Sequence, residues 1–351
     1  MKDFKKTFVW MLVFVALIVL TIYVMASQSK SFSFDNLLET IGGMNPATII
    51  LAFLGMLGFI FFEGYALVII LRVFGYKRQV RKSWLYAAPD VYFSAITPSA
   101  TGGQPASAFF MHNDKIPAAV STIALILNLT FYTASIIVVG IICWLINPTI
   151  LGNFKPGSIL LITVGFFVQL GLCILFILLM YKEQIIKKIT AFIIKVLTKL
   201  HVVKRAEKYF KKLDKMEVQY RQCASLILQN KKELSKAFLC NILQRVSQIL
   251  VSVFVFIGVT GGFKDALNSF ATQGYVAIGS NAVPIPGAVG AADWLYIDGF
   301  ENLLGKNVEH KLVSMELVSR GISFYVCVLA CGIFTFTAYI LHNIRKKKKE
   351  G

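Results

Sequence analysis

The chain has 351 residues, 56% of them hydrophobic and 29 of them Phe, with a mean hydropathy of +0.68. No water-soluble fold covers that much apolar surface, so the composition excludes a soluble enzyme or binding module and indicates an all-α polytopic membrane protein. The net charge of +18 does not indicate nucleic acid, because the basic residues crowd into a few short loops and the tail Arg345–Lys349. That is the distribution of cytoplasmic loops, with attraction to anionic lipid added.

Met1-Lys-Asp-Phe-Lys-Lys6 opens the chain and an apolar run follows from about Thr7 to Ala26. The run is too long for a cleaved signal and has no small-x-small site after it, so it reads as a first membrane span. Further spans are expected near residues 47–71, 117–146, 158–181, 236–260 and 312–342. Two more apolar segments, about 84–112 and 266–304, are interrupted in mid-run. The interruptions read Ile96-Thr-Pro-Ser-Ala-Thr-Gly-Gly-Gln-Pro105 and Val283-Pro-Ile-Pro-Gly-Ala-Val-Gly290. Within a bilayer an unpaired backbone group is costly, so a broken helix survives only where it lines protein or a wet cavity. A pair of breaks, one in each half, is a pointer to a transporter's binding site.

Loop charges set the orientation. Lys2, Lys5 and Lys6 precede the first span; Arg72, Lys77, Arg78, Arg81 and Lys82 follow the second; the segment 182–236 carries fifteen Lys/Arg against five acids. The loops 27–46, 147–157, 261–268 and 305–311 hold only Lys30, Lys155, Lys264, Lys306 and Lys311. Strongly basic loops and both termini are therefore expected in the cytoplasm. About six full spans satisfy this only if both broken segments return to the side they came from. The first would be a re-entrant hairpin from the cytoplasm, between Lys82 and Lys115; the second would enter from outside, between Lys264 and Lys306. Span, hairpin and span then occur twice in opposite orientation, an inverted repeat. Residues 1–351 read as one transmembrane domain. Its first half is 47–146 and its second is 236–342. Between them, 182–235 has apolar residues such as Ile185, Ile189, Ile193 and Val196 at helical spacing, which fits either an amphipathic helix on the cytoplasmic leaflet or a solvated linker.

Candidate binding residues gather at the breaks. In the first, Pro105 suits the opening turn of a helix running to Met111. Gly102 and Gly103 permit close backbone approach, Thr101 or Gln104 can cap, and Thr97 adds a hydroxyl; free N–H groups there suit an anion. In the second, Asn281 precedes Gly287 and Gly290, and Asp293 follows near a helix start. Intramembrane Glu63, Arg245 and Arg320 are functional candidates, although pairing of Arg320 with Asp293 or Glu63 explains them nearly as well. Asp90 reads as less deeply placed. The six cysteines, including the Cys327/Cys331 pair, read as small core hydrophobes, and the four histidines are scattered. No catalytic residues, metal site or cofactor are expected, and with no ATP-binding pattern any transport is passive or gradient-driven.

The stretches Thr97–Phe109, Pro284–Asp293 and Arg320-Gly-Ile-Ser-Phe-Tyr325 resemble the flippase-like transmembrane domain of lysylphosphatidylglycerol synthase, the multiple peptide resistance factor. The similarity spans nearly the whole chain. It implies a cell-membrane protein that moves aminoacylated phosphatidylglycerol to the outer leaflet and so resists cationic peptides. In that family a separate cytosolic domain attaches lysine from lysyl-tRNA. The sequence ends at Gly351 without it, so lysyltransferase activity is expected only with a separate aminoacyltransferase partner. The family's second motif usually has two adjacent glycines and a later Glu, where Ala288 and Asp293 stand here. An anionic or aminoacylated phospholipid is the expected partner, with Glu63 and Asp293 meeting the cationic group and Arg245 or Arg320 the phosphate. A polyprenyl or glycolipid substrate and self-association stay open.

Overall fold

The computed structural model describes residues 34–97, 100–181, 222–223, 225–288, 290–304 and 311–350. The expected span at 7–26, the basic segment 182–221, Pro98, Ser99, Val289 and the loop 305–310 lie outside the described residues. Among the described residues there are eleven α-helices and no strand. They are α1 (Phe34–Gly43), α2 (Pro46–Val73), α3 (Lys82–Ile96), α4 (Gly103–Asn113), α5 (Ala118–Ile146), α6 (Pro156–Tyr181), α7 (Lys231–Thr260), α8 (Ala266–Asn281), α9 (Ala291–Glu301), α10 (Leu312–Arg320) and α11 (Cys327–Glu350). A six-residue π-helix, Gly321–Val326, joins α10 to α11.

Local chemistry sets several ends. Asn45 accepts a hydrogen bond from the Ala47 N–H at 2.9 Å and Pro46 fills the first position of α2, where its missing N–H costs nothing. The last turn of α7 ends on Gly261 in the left-handed region. Among the described residues, five segments are long and apolar enough to cross a membrane: α2, α5, Pro156–Leu178, α7 and Leu312–Ile344. They coincide with five of the six expected spans, and the chain is a multi-pass membrane protein.

The core is built on α2 lying along α7, with Ala52, Met56, Ile60, Val251 and Val255 buried. At the periphery, α6 presents Leu160, Phe167 and Ile174 outward. In water such a face would be a liability; in a bilayer it is the surface lipid tails wet.

Both broken segments fold back on themselves. The start of α3 meets the end of α4, because Asp114 accepts from Lys82 Nζ and from Tyr86 Oη, each at 2.7 Å. Arg78 Nη2 adds a bond to the Asp114 carbonyl, also at 2.7 Å. The mouth of the α8–α9 pair is fastened instead to the loop after α5. Asn147 Nδ2 donates to Asn268 at 3.1 Å, the Lys155 N–H to Asp298 at 2.9 Å and Asn302 Nδ2 to the Asn153 carbonyl at 2.8 Å. Lys155 Nζ reaches Glu301 at 3.0 Å, and the bond and charge of Glu301, then those of Asp298, raise its pKa above the usual lysine value. The two hairpins thus open at opposite ends of α5. At 1.5 Å per residue, α3 and α8 reach about 22 and 24 Å, while α5 is about 44 Å long. Their tips therefore meet near half its height, where α3 touches the turn Pro286–Ala288.

Candidate functional site

The first break is closed from within. Thr97 Oγ1 accepts from the Gly102 N–H at 2.9 Å and donates to the Phe93 carbonyl at 2.6 Å. Gly102 is the N-cap of α4 and has no side chain with which to cap its first turn. Gln104, expected as a possible cap, instead crosses the hairpin: its Nε2 donates to Asp90 Oδ2 at 2.9 Å, while Ser94 donates to Asp90 Oδ1 at 3.1 Å. Pro105 sits third in α4, which runs from Gly103 to Asn113. Gly103 is where the limbs touch; a Cβ there would fall 2.0 Å from both Asp90 Oδ1 and Ser94 Oγ, and 2.7 Å from the Asp90 carbonyl. Asp90 is 6% exposed and carries this closure, which corrects the expectation of a shallower position. Thr101 is exposed at the tip.

The second break is held from outside. Arg320, at the end of α10, donates from Nη2 to the Gly287 carbonyl at 2.8 Å and places Nε 2.8 Å from Asp293 Oδ1. Of the two partners open to Arg320 in the sequence, the structure selects Asp293. The other oxygen of Asp293 accepts the Gly290 N–H at 2.9 Å, so one carboxylate both caps α9 and pairs the arginine. Gly287 has φ +62° and packs so closely on Phe324 that a Cβ would lie 2.3 Å from Cζ. That ring also lies under the Arg320 guanidinium at 5.3 Å. Glu316, one turn before Arg320, is buried within range of the charges of Asp293 and Arg320.

Arg245 lies on α7. It is 2% exposed, its guanidinium lies 4.7 Å from the Tyr132 ring centroid, and Nη1 donates to Gln248. Its Nε and Nη2 have no hydrogen-bond partner. Tyr132 in turn donates from Oη to Asn281 Oδ1 at 3.2 Å, linking Arg245 to the last residue of α8. A buried guanidinium with two vacant nitrogens is costly unless an anion completes it.

The model of the lysylphosphatidylglycerol synthase TM region matches residues 9–331. The chain belongs to that family. No curated protein matches it.

Glu63 forms a separate group. Its carboxylate is 7% exposed and accepts Asn128 Nδ2 at 2.9 Å and Gln244 Nε2 at 2.6 Å. Asn241 Nδ2 donates on to Asn128 Oδ1 at 3.1 Å. Of the candidate residues, Asn281, Gly287, Gly290, Asp293 and Arg320 surround one break, with Arg245 joined to them through Tyr132. Thr97, Thr101, Gly102, Gly103 and Gln104 form the other, and Glu63 belongs to neither. Residues that the sequence reading left aside are Asn128, Tyr132, Asn241, Gln244 and Glu316. The signal for the amides was present: Asn128 interrupts Leu125-Ile-Leu-Asn-Leu-Thr130, a run of otherwise lipid-compatible residues. All six cysteines are free and buried, and among the described residues no three His, Cys, Asp or Glu gather as a metal site.

Proposed function

We propose that this chain is a cell-membrane lipid transporter that carries an anionic phospholipid headgroup, phosphatidylglycerol or its lysyl ester, between leaflets. The observation that carries the reading is Arg245, a buried guanidinium whose Nε and Nη2 lack partners. Those two nitrogens present adjacent N–H groups in a planar fork, the geometry a phosphate oxygen pair accepts. The phosphate sits at Arg245 and against the backbone of Gly287 and Gly290, with the α4 start at Gly102–Gln104 lining the opposite wall. Asp293 and Arg320 form the movable side of the site; a lysyl ammonium takes Asp293 in place of the arginine. Glu63, capped by two amides, stays outside the headgroup's path.

The two hairpins are re-entrant, one from each face, and the halves 47–146 and 236–342 form an inverted repeat around this site within one domain. Both termini and the basic segment 182–235 face the cytoplasm, where anionic lipid collects. Delivery of lysyl-lipid to the outer leaflet lowers negative surface charge and so contributes to resistance against cationic peptides. The lysyl ester is the product of an aminoacyltransferase activity.

Leaflet assays in liposomes test the reading, using fluorescent phosphatidylglycerol and its lysyl ester against phosphatidylcholine. Arg245→Gln should slow movement of the anionic lipids by about tenfold or more, the worth of hydrogen bonds to a charged group. Phe167→Ala, on the lipid-facing side of α6, should leave it unchanged. Equal rates in wild type and Arg245→Gln would remove the site from consideration.

A further inference from the structure

The Glu63 group is built as a binding site in its own right. Three helices supply it: Glu63 from α2, Asn128 from α5, and Asn241 with Gln244 from one face of α7, three residues apart. Asn241 and Gln244 are 0% and 1% exposed, and Asn241 Oδ1 and Gln244 Oε1 are both buried without a hydrogen-bond partner. The vacancies here are of one kind. Every amide nitrogen donates, to Glu63, to Asn128 or, for Asn241, also to the Ala237 carbonyl at 3.1 Å, and what remains unpaired is the carbonyl oxygen of two of the amides joined to Glu63 in this network.

We propose that Glu63, Asn128, Asn241 and Gln244 bind one dehydrated monovalent cation of the sodium class, and that its occupancy is coupled to anion binding at Arg245. Hard oxygen donors with no nitrogen or sulfur ligand select a hard cation. A single carboxylate balances one positive charge, whereas a divalent ion would leave an excess. A proton on Glu63 neutralises the carboxylate but leaves both carbonyl oxygens without a donor. A lipid-borne ammonium needs a path for its stem into a group whose four residues are all buried, and a bare ion does not.

The coupling rests on the lipid reading above and follows from adjacency. Gln244 and Arg245 are neighbours in α7, and Glu63 lies within range of the charges of Arg245 and Asp90. Glu63 and Asp90 together carry one negative charge more than Arg245 balances, so without the ion the surroundings repel an incoming phosphate. With the ion they are neutral, and by linkage the lipid must tighten the ion in return. A sodium gradient then has a physical handle on headgroup binding.

The test uses the purified full chain in nanodiscs at constant ionic strength and needs no variant at first. Replacing choline chloride with NaCl should give a saturable rise in Tm of about 2–4 °C, as for a ligand bound only by the folded state. Methylammonium chloride should not. Glu63→Gln should lose the rise, Asn241→Leu or Gln244→Leu should weaken sodium binding about tenfold, and Asp293→Asn should keep it. Retention of phosphatidylglycerol should increase with sodium in wild type and become sodium-independent in Glu63→Gln. Equal Tm in all three salts, a rise with methylammonium alone, or a sodium response that survives Glu63→Gln would overturn the site. The two readings fail separately. Anionic lipid bound equally in choline and sodium overturns the coupling alone, and absence of lipid binding with sodium stabilisation intact overturns the lipid reading.

Discussion

The two broken segments occupy matching places in the chain, yet they are closed by different means. The first is sealed by its own residues: Asp90, Ser94, Thr97 and Gln104 all lie on its two limbs. The second has few bonds of its own and is held by Arg320, which belongs to a spanning helix. Equivalent topology therefore does not give equivalent mechanics. A hairpin closed from within moves as a block, whereas one held by a neighbour's ion pair can be released by any ligand that competes for that pair.

Breaking the outside latch should have the largest effect. Arg320→Leu leaves Asp293 largely buried without its cation and should cost about 3 kcal/mol in denaturant unfolding of the solubilised protein. The double variant Arg320→Leu/Asp293→Asn should recover at least half of it. If the double variant is as unstable as the single, the ion pair is not what holds the turn.

Disturbing the inside closure comes next. Gly103→Ala forces a Cβ against the Asp90 carbonyl and should cost about 2 kcal/mol through overpacking, read as a lower denaturation midpoint. The same change should leave protease cleavage near Pro284 unaltered, since the second break does not depend on it. A smaller effect of opposite sign is expected at Ala288, which has φ +48° at the place where the family resemblance expects glycine. Ala288→Gly should stabilise by about 0.5–1 kcal/mol, relief of left-handed strain partly offset by chain entropy. The smallest change belongs to Lys155→Ala at the hairpin mouth, where the ammonium is exposed and screened although it faces buried Asp298; a small drop in Tm is expected.

Spans were legible because twenty or so apolar residues in a row have one meaning in a bilayer, and the breaks were legible because glycine and proline interrupt such runs. The partners of the charges were not. Glu63 finds Asn128 at a separation of 65 residues and Gln244 at 181, and no local pattern encodes contacts made by packing α2 against α5 and α7. Gln104 looked like a cap because it stands beside a helix start; it was drawn away by Asp90, whose depth depends on how tightly Gly103 lets the limbs approach. Arg320 was readable as paired, and only the fold chose between its two acids.

The π-helix that follows Arg320 adds one further property. A π turn closes its hydrogen bonds five residues apart instead of four, so Gly321–Val326 stores one surplus residue in the register of the last span. Each residue of an α-helix advances the face by about 100°. Drawing that surplus out, with α11 fixed, would swing the Arg320 side chain about a quarter turn away from Gly287 and Asp293. The latch of the second hairpin is thereby mounted on the one stretch of its helix where rotation needs no bending, only a change of winding.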